Sequence, residues 1–187
     1  MIDIPKDVSL PLMTDIITDL YVGDSVLLHG TMYTLRDAAC QGLFSVLDKG
    51  ESLPFEIRGQ AIYFMGPSPA KPGQVIGAAG PTTSGRMSDY LPRLLDEGLK
   101  GVVGKGGLSQ EARAAMKTCK AIYFAAVGGI GALLSQKIKK VSVVAYRDLG
   151  PEAILRLEVK GFPVIVVNDI HGGDLYNEGR AKYRVKD

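Results

Sequence analysis

Short apolar runs recur along the chain, and each stops at glycine, proline or a polar turn residue. Several are rich in β-branched or aromatic side chains, a composition that predicts strands. The predicted strands are SVLLHG, AIYFM (61–65), QVIGAAG (74–80), GVVG, AIYFAAV and VSVVAY. The run ILRLEVKGFPVIVVND is interpreted as two more strands, which form a hairpin or β-arch around Lys160 and Gly161.

Helical segments separate the strands in the middle of the chain. Thr34 is expected to cap a helix that runs to about Asp48, with its apolar residues on one stripe and Arg36 in its first turn. A later helical segment is expected to be interrupted at Pro92. This alternation predicts an α/β fold, a single layered domain over residues 1–187 with a mixed sheet and a polar tail from about residue 177.

Glycine-rich loops end three successive predicted strands. They lie at Gly80, at 104–107 and at 128–131. In α/β sheets, ligands gather at the carboxyl ends of strands, where loops present backbone N–H groups. The sequence therefore predicts one shared anion pocket at this edge of the sheet.

Composition narrows the class of protein. The 187 residues are 46% hydrophobic and 22% charged, and the net charge of +2 gives no strongly basic surface for nucleic acid. Acidic residues near the N-terminus argue against a signal peptide, and no apolar run approaches the ~20 residues that cross a bilayer. Cys40 and Cys119 are too far apart for a CxxC motif or a secreted disulfide framework. We expect a cytoplasmic protein with no nucleic-acid or membrane partner.

The segment GPTTSGRM (80–87) carries the strongest chemical signal. Three hydroxyl residues follow a strand-ending Gly-Pro pair, and Arg86 lies about one helical turn after Thr82. Backbone N–H groups, hydroxyls and a guanidinium fork together can grip a carboxylate. The alternative from spacing alone is a hydroxyl-rich helix cap with a surface arginine.

Lys105 lies in the glycine loop GKGG, which suits it to a negatively charged ligand. A plain tight turn is the alternative. The loop is not a P-loop, because Gly106 follows the lysine where Ser or Thr is required. The nearby VGGIGALL lacks the GxGxxG spacing of dinucleotide-binding loops and is interpreted as close helix–sheet packing.

Arg36 stands next to Asp37 in TLRDAAC. Either the two form an exposed pair, or Asp37 orients Arg36 toward an anion, and the sequence leaves both open. His29 and His171 have no metal-ligand partner at helical spacing and are not assigned to a site. The segment NDIHGGD is interpreted as a turn that leaves a strand.

Four of these motifs together resemble a known family. In order, GDSVLLHGTMYTLRDAAC, GPTTSGRM, GVVGKGG and VGGIGALLSQKIKKV are similar to the β subunit of class I fumarate hydratases and L(+)-tartrate dehydratases, over residues 10–177. The same unit forms the C-terminal domain of single-chain members. One departure is visible, because the family's RDAAH motif has Cys40 at the histidine position here.

The resemblance implies a fold and a division of labour. It implies a swivelling β/β/α domain beside a separate α subunit, whose three cysteines hold a 4Fe-4S cluster. In the family, the iron without a cysteine ligand acts as a Lewis acid on the substrate hydroxyl. Two distant cysteines cannot supply the usual thiolate set, so this chain is expected to ligate no metal and to form a hetero-oligomer, with a homodimer open to the isolated chain.

The resemblance also assigns roles to residues. It implies that Arg36, Arg86 and Lys105 bind a small dicarboxylate substrate. It implies that Thr82 removes the carbon-bound proton, with Thr83 as the neighbouring alternative.

Three functions follow as hypotheses. The first is the β subunit of a fumarate hydratase that interconverts fumarate and malate. The second is the same subunit acting on tartrate or a methylated fumarate such as mesaconate. The third is a non-catalytic module that binds dicarboxylates or serves as a scaffold.

Overall fold

Seven strands form one mixed sheet. The structure is a computed structural model that describes residues 4–185. The strands are β1 Lys6–Ser9, β2 Ser25–Thr34, β3 Ala61–Tyr63, β4 Gly101–Gly104, β5 Ile122–Ala125, β6 Ile138–Ala145 and β7 Ile154–Asn168. The predicted α/β class with a mixed sheet is confirmed.

Helices connect and flank these strands. The α-helices are α1 Thr14–Thr18, α2 Asp37–Asp48, α3 Leu91–Asp96, α4 Gln110–Thr118, α5 Gly131–Ser135 and α6 Leu175–Tyr183. Two 3-10 helices lie at Ser84–Tyr90 and Arg147–Glu152. None of the helices within residues 4–185 combines the length and the apolar character that crossing a bilayer requires.

The pairing of the strands closes part of the sheet into a ring. Strands β1 to β5 pair in sequence order, all parallel. The long strand β7 runs antiparallel and pairs with β5, with β6 and along the length of β2. Strands β2, β3, β4, β5 and β7 therefore form a ring, and the carboxyl ends of β2 to β5 share one edge of it.

Alternating side chains divide the core into two clusters. Along the third strand and just beyond it, Ala61, Tyr63 and Met65 belong to one cluster, and Ile62 and Phe64 belong to the other. The first cluster draws on all five strands of the ring, and the second includes buried residues of α2, α3 and α4. This division is the period-two alternation of strands buried on both faces.

The segment 74–80 is not a strand, contrary to the prediction. Its backbone pairs instead with the loop before it, since Ser68 N donates to Ala78 O at 3.1 Å and Ala78 N donates to Ser68 Oγ at 2.9 Å. A Cβ on Gly77 would lie 2.1 Å from Ser68 O. Close packing of the loop on itself thus takes the hydrogen bonds that a sheet would have used.

The predicted hairpin around Lys160 and Gly161 is also wrong. Residues 154–168 form one continuous strand, in which Gly161 adopts a positive φ of 62°. Both halves of the strand pair with β2. This strand has ten residues and is long enough to pair with one half after the other. The glycine allows a local irregularity in the strand without reversing it.

Helix α2 begins later than predicted. Thr34 does not cap it, because its hydroxyl donates to Ala153 O at 3.2 Å and accepts from Leu155 N at 2.9 Å. Arg36 is the extended N-cap residue and lies outside the first turn. Pro92 does not interrupt a helix, since it lies in the first turn of α3, where a missing N–H costs little.

The polar tail is helical. Residues 175–183 form α6, and the side chain of Asp174 caps it by accepting from Asn177 N at 3.1 Å. The NDIHGGD segment is a turn, as predicted. Its buried Asp169 accepts backbone hydrogen bonds from Val22, His171 and Gly173.

Substitution of Phe162 tests the packing inside the ring of strands. It is fully buried and meets Tyr63 edge to face, with ring centroids 5.3 Å apart. We expect Phe162→Ala to lower the free energy of unfolding by ~3–5 kcal/mol, because it leaves a cavity in a packed core. Urea unfolding measures this loss.

Tyr183→Ala is the control for this prediction, because that ring is 76% exposed. It should change the free energy of unfolding by less than ~0.5 kcal/mol. Equal losses in the two variants would mean that Phe162 does not pack as described.

Candidate functional site

Four connecting segments meet at the carboxyl ends of the parallel strands. Arg36 follows β2, Thr82 lies at the end of the long loop after β3, Lys105 follows β4, and Gly128 follows β5. Backbone pairing continues beyond the strands, with Leu35 N donating to Tyr63 O at 3.1 Å. These segments therefore lie at one edge of the sheet, although the Gly80 loop follows no strand of its own. The shared anion pocket stays a prediction.

Thr82 is anchored to the end of the third strand. Its backbone N–H donates to Phe64 O at 2.7 Å, and its hydroxyl donates to the same oxygen at 3.0 Å. The hydroxyl hydrogen is thereby engaged, and within residues 4–185 no group donates a hydrogen bond to the hydroxyl oxygen. Thr83, next in the chain, forms an isolated parallel bridge with Lys105.

Ser84 joins the Thr82 loop to the Lys105 loop. Its N–H donates to Lys105 O at 2.9 Å, and its buried Oγ accepts from Lys105 N at 3.1 Å. The cap residue of the following 3-10 helix is Thr83, whose side chain makes no capping hydrogen bond. The hydroxyl-rich segment is therefore a connection between loops and is not a helix cap.

The third glycine loop packs against the first. Ala79 N donates to Gly131 O at 3.0 Å, and a Cβ on Gly131 would lie 2.8 Å from Gly80 N. A Cβ on Gly128 would lie 3.8 Å from Lys105 Cδ. The glycines of VGGIG thus allow close approach, as interpreted from sequence, although the partner is a loop and not a sheet.

Two tyrosines hold the Lys105 loop. The Tyr123 hydroxyl lies 2.7 Å from Gly106 O and 2.9 Å from Ser84 Oγ, and Gly106 N donates to the Tyr176 hydroxyl at 3.2 Å. Burial raises the pKa of Tyr123, which therefore stays a neutral hydroxyl. Tyr176 belongs to α6, and nothing in its polar surroundings indicated this contact.

Arg36 pairs with Glu152, and Asp37 does not orient it. The Arg36 Nη2 atom lies 3.3 Å from Glu152 Oε1. Asp37 instead lies near Arg86, with its Oδ2 atom 3.9 Å from Arg86 Nη2. Arg36 and Asp37 are neighbours at the start of α2, and each pairs with a different residue. Arg86 is thereby placed close to the helix that Arg36 precedes.

The three cations differ in their surroundings. The side chain of Arg36 is 24% exposed, whereas that of Arg86 is 55% exposed. No carboxylate oxygen within residues 4–185 lies within 4.0 Å of the Lys105 ammonium group. No described carboxylate therefore neutralises the charge of Lys105 by direct contact.

Cys40 lies one helical turn after Arg36 and is fully buried. Its N–H donates to Arg36 O at 2.9 Å. Burial raises the pKa of its thiol, and the charges of Asp37 and Glu152 raise it further. The residue at the family's histidine position is thus a neutral, packed thiol.

The side chains present do not fit a thiolate-ligated cluster. Among the residues that the structure describes, no group of three or more His, Cys, Asp or Glu side chains has an arrangement that could hold a metal ion. Burial also raises the pKa of Cys119, and the Asp96 charge adds to this. Neither thiol is set up as a thiolate ligand.

Comparison with known proteins assigns the family. Residues 3–179 match the family model described as Fumarase C-terminus. The chain belongs to the fumarase C-terminus family. The resemblance drawn from the motifs is confirmed.

The relatives are of two lengths. A protein of Methanocaldococcus jannaschii, provisionally named L(+)-tartrate dehydratase subunit beta, is 40% identical over 169 residues, which are 87% of this chain and 87% of that protein. Fumarate hydratase 2 of Leishmania major is 35% identical over 162 residues, or 86% of this chain and 28% of that protein. The aerobic class I fumarate hydratase of Escherichia coli (strain K12) is 37% identical over 153 residues, or 81% and 28%.

This fumarase C-terminus chain therefore spans most of the archaeal relative and about 28% of the two fumarate hydratases. Its relatives are hydro-lyases or a hydro-lyase subunit by name. The unit occurs both as a separate chain and as one part of a longer one.

Proposed function

We propose that this chain is the β subunit of an iron-sulfur-dependent fumarate hydratase. It interconverts fumarate and malate together with a separate subunit that carries a 4Fe-4S cluster. The observation that supports this most is the placement of Arg36, Thr82 and Lys105 after successive parallel strands, with Arg86 beside Asp37 at the start of α2.

The three cations bind the substrate dianion. A guanidinium presents two parallel donors to a carboxylate, and an ammonium group adds a compact positive charge. When the carbon-bound proton leaves, negative charge accumulates on the adjacent carboxylate. Fixed donors at Arg36, Arg86 and Lys105 stabilise that charge more than they stabilise the ground state, which lowers the barrier.

In this proposal Thr82 first loses its hydroxyl proton to solvent water, and its alkoxide then takes the carbon-bound proton. An aliphatic hydroxyl is a very weak base unless neighbouring positive charge stabilises its alkoxide. The hydrogen bond from Thr82 to Phe64 O favours the neutral hydroxyl, so proton transfer requires that bond to be released. The cations of the site supply the opposing stabilisation.

A second substrate has its own support. The archaeal relative that matches this chain over 87% of both lengths carries a tartrate dehydratase name. Tartrate differs from malate by one hydroxyl group, and such a change alters discrimination by only a few kcal/mol unless the site binds that hydroxyl. The same cations serve both dicarboxylates.

Reconstitution tests the division of labour. We expect the isolated chain to be inactive and the anaerobic complex with its cognate cluster subunit to hydrate fumarate. Arg86→Ala should then lower kcat/KM by at least ~100-fold while the complex still assembles, because a charge-assisted contact is lost. Absorbance of fumarate measures turnover, and size-exclusion chromatography measures assembly.

Arg58→Ala is the matched control, because Arg58 is exposed at the opposite edge, beside Gly98. It should leave kcat/KM within ~2-fold of the wild type. Full turnover by the isolated chain would refute the proposed division.

The two threonines can be separated. We expect Thr82→Val to lower kcat by ~100-fold or more, because a proton acceptor contributes that much, and Thr82→Ser to keep most of the activity. Thr83→Val should have little effect. Steady-state kinetics of the three complexes decide the assignment, and the reverse pattern would transfer the role to Thr83.

Substrate profiling decides between the candidates. The fumarate hydratase proposal expects fumarate and malate to have the highest kcat/KM among fumarate, malate, L(+)-tartrate and mesaconate. A higher value for tartrate would make the chain a tartrate dehydratase subunit. Dicarboxylate binding by calorimetry, without turnover of any of the four, would indicate a non-catalytic module.

A further inference from the structure

A glutamate from a distant part of the sequence holds Arg36. Glu152 ends the 3-10 helix after β6, and its Oε1 lies 3.3 Å from Arg36 Nη2. The two side chains are 24% and 27% exposed, so the pair is largely shielded from solvent. Shielding strengthens an ion pair compared with one on an open surface.

The second carboxylate oxygen of Glu152 fixes the helix that Arg36 precedes. Ala38 N donates to Glu152 Oε2 at 2.9 Å. Arg36 is the N-cap residue and has no side chain able to cap, so Glu152 supplies the acceptor that the first turn of α2 needs. One carboxylate thus binds both the start of the helix and the guanidinium beside it.

The space around Arg36 is narrow. A Cβ on Gly66 would lie 2.7 Å from Arg36 Nη1, 2.8 Å from Arg36 Cδ and 2.8 Å from Pro151 O. The arginine side chain and the carbonyl of the residue before Glu152 therefore both lie close to Gly66. A side chain at position 66 would displace one of them.

The same 3-10 segment is fixed against α2 at a second place. A Cβ on Gly42 would lie 2.7 Å from the Cζ atom of Tyr146. Tyr146 is the residue just before the 3-10 helix, so the segment contacts α2 near both of its ends. The segment that carries Glu152 therefore contacts α2 both by packing and by a hydrogen bond.

We propose that Glu152 is a positioning residue, which orients the Arg36 guanidinium toward the substrate carboxylate. This inference rests on the proposed function. The buried Arg36 Nε atom has no hydrogen-bond partner among the described residues, so Glu152 does not use the full donor capacity of the guanidinium. A guanidinium that Glu152 already holds at one nitrogen loses less conformational entropy when it binds a ligand. It also keeps the same orientation in the transition state.

Glu152→Gln separates the two contacts of the carboxylate. Its amide oxygen still accepts from Ala38 N, whereas its NH2 group faces the guanidinium and no longer holds it. In the reconstituted complex, we expect kcat/KM for fumarate to fall on the order of ten- to a hundredfold. The urea midpoint of the isolated chain should stay close to the wild-type value.

Glu158→Gln is the matched control. It neutralises a glutamate that pairs with Lys140 at 3.1 Å, in the pairing of β6 with β7. It should leave kcat/KM unchanged. Wild-type activity in Glu152→Gln would overturn the inference.

A double-mutant cycle shows whether Glu152 acts through Arg36. In an Arg36→Ala background, Glu152→Gln should cause no further loss of kcat/KM, because the group that it positions is gone. A general structural role would persist in that background. Losses that multiply across the two substitutions would therefore overturn the inference.

Failure of this inference differs from failure of the proposed function. An active wild-type complex with multiplying losses removes only the role of Glu152. A wild-type complex that turns over neither fumarate nor tartrate removes the proposed function, and the inference falls with it.

Discussion

The site depends on one buried hydroxyl group. Ser84 pairs with Lys105 through both its N–H and its Oγ, and the Tyr123 hydroxyl lies 2.9 Å from that Oγ. Burying the Ser84 hydroxyl without hydrogen-bond partners would cost ~1–3 kcal/mol. These contacts therefore stabilise the arrangement in which the two loops are joined. They require glycine at position 104, where a Cβ would lie 1.9 Å from Ser84 Oγ. The loops after β3 and β4 are thereby joined before any ligand arrives.

Charge balance explains why the same edge also contains acids. Arg36 is paired with Glu152 and Arg86 faces Asp37, while Lys105 has no carboxylate within 4.0 Å among residues 4–185. Three cations and two carboxylates leave one net positive charge. Such a balance limits the mutual repulsion of the cations in the free protein. Under the proposed function, it also lets a dianion bind without the excess ground-state affinity that would slow release or chemistry.

The sequence predicts this edge because its main parts are local. A strand, a glycine loop and a charged or hydroxyl residue follow one another along the chain, and parallel strands bring such loops together. Glu152 and Tyr176 were missed because packing brings them to the site from segments that locally indicate only a turn and a polar tail. Tertiary contacts likewise determine the backbone structure of segments 74–80 and 154–168, which differs from the prediction. The first pairs with its own loop, and the second extends along a ten-residue neighbour.

Solvent exposure of the charged side chains weakens their attraction for a ligand, and a second protein surface over this edge would strengthen it. Two unit charges 4 Å apart attract by about 1 kcal/mol in water and by about 4 kcal/mol at an effective dielectric constant of 20. With the Arg86 side chain 55% exposed, solvent screens much of the field that the cations direct at a ligand. Folding therefore costs little desolvation of the Arg86 charge. Under the proposed function, a partner that covers the edge excludes water, and the same cations then stabilise developing carboxylate charge far more strongly.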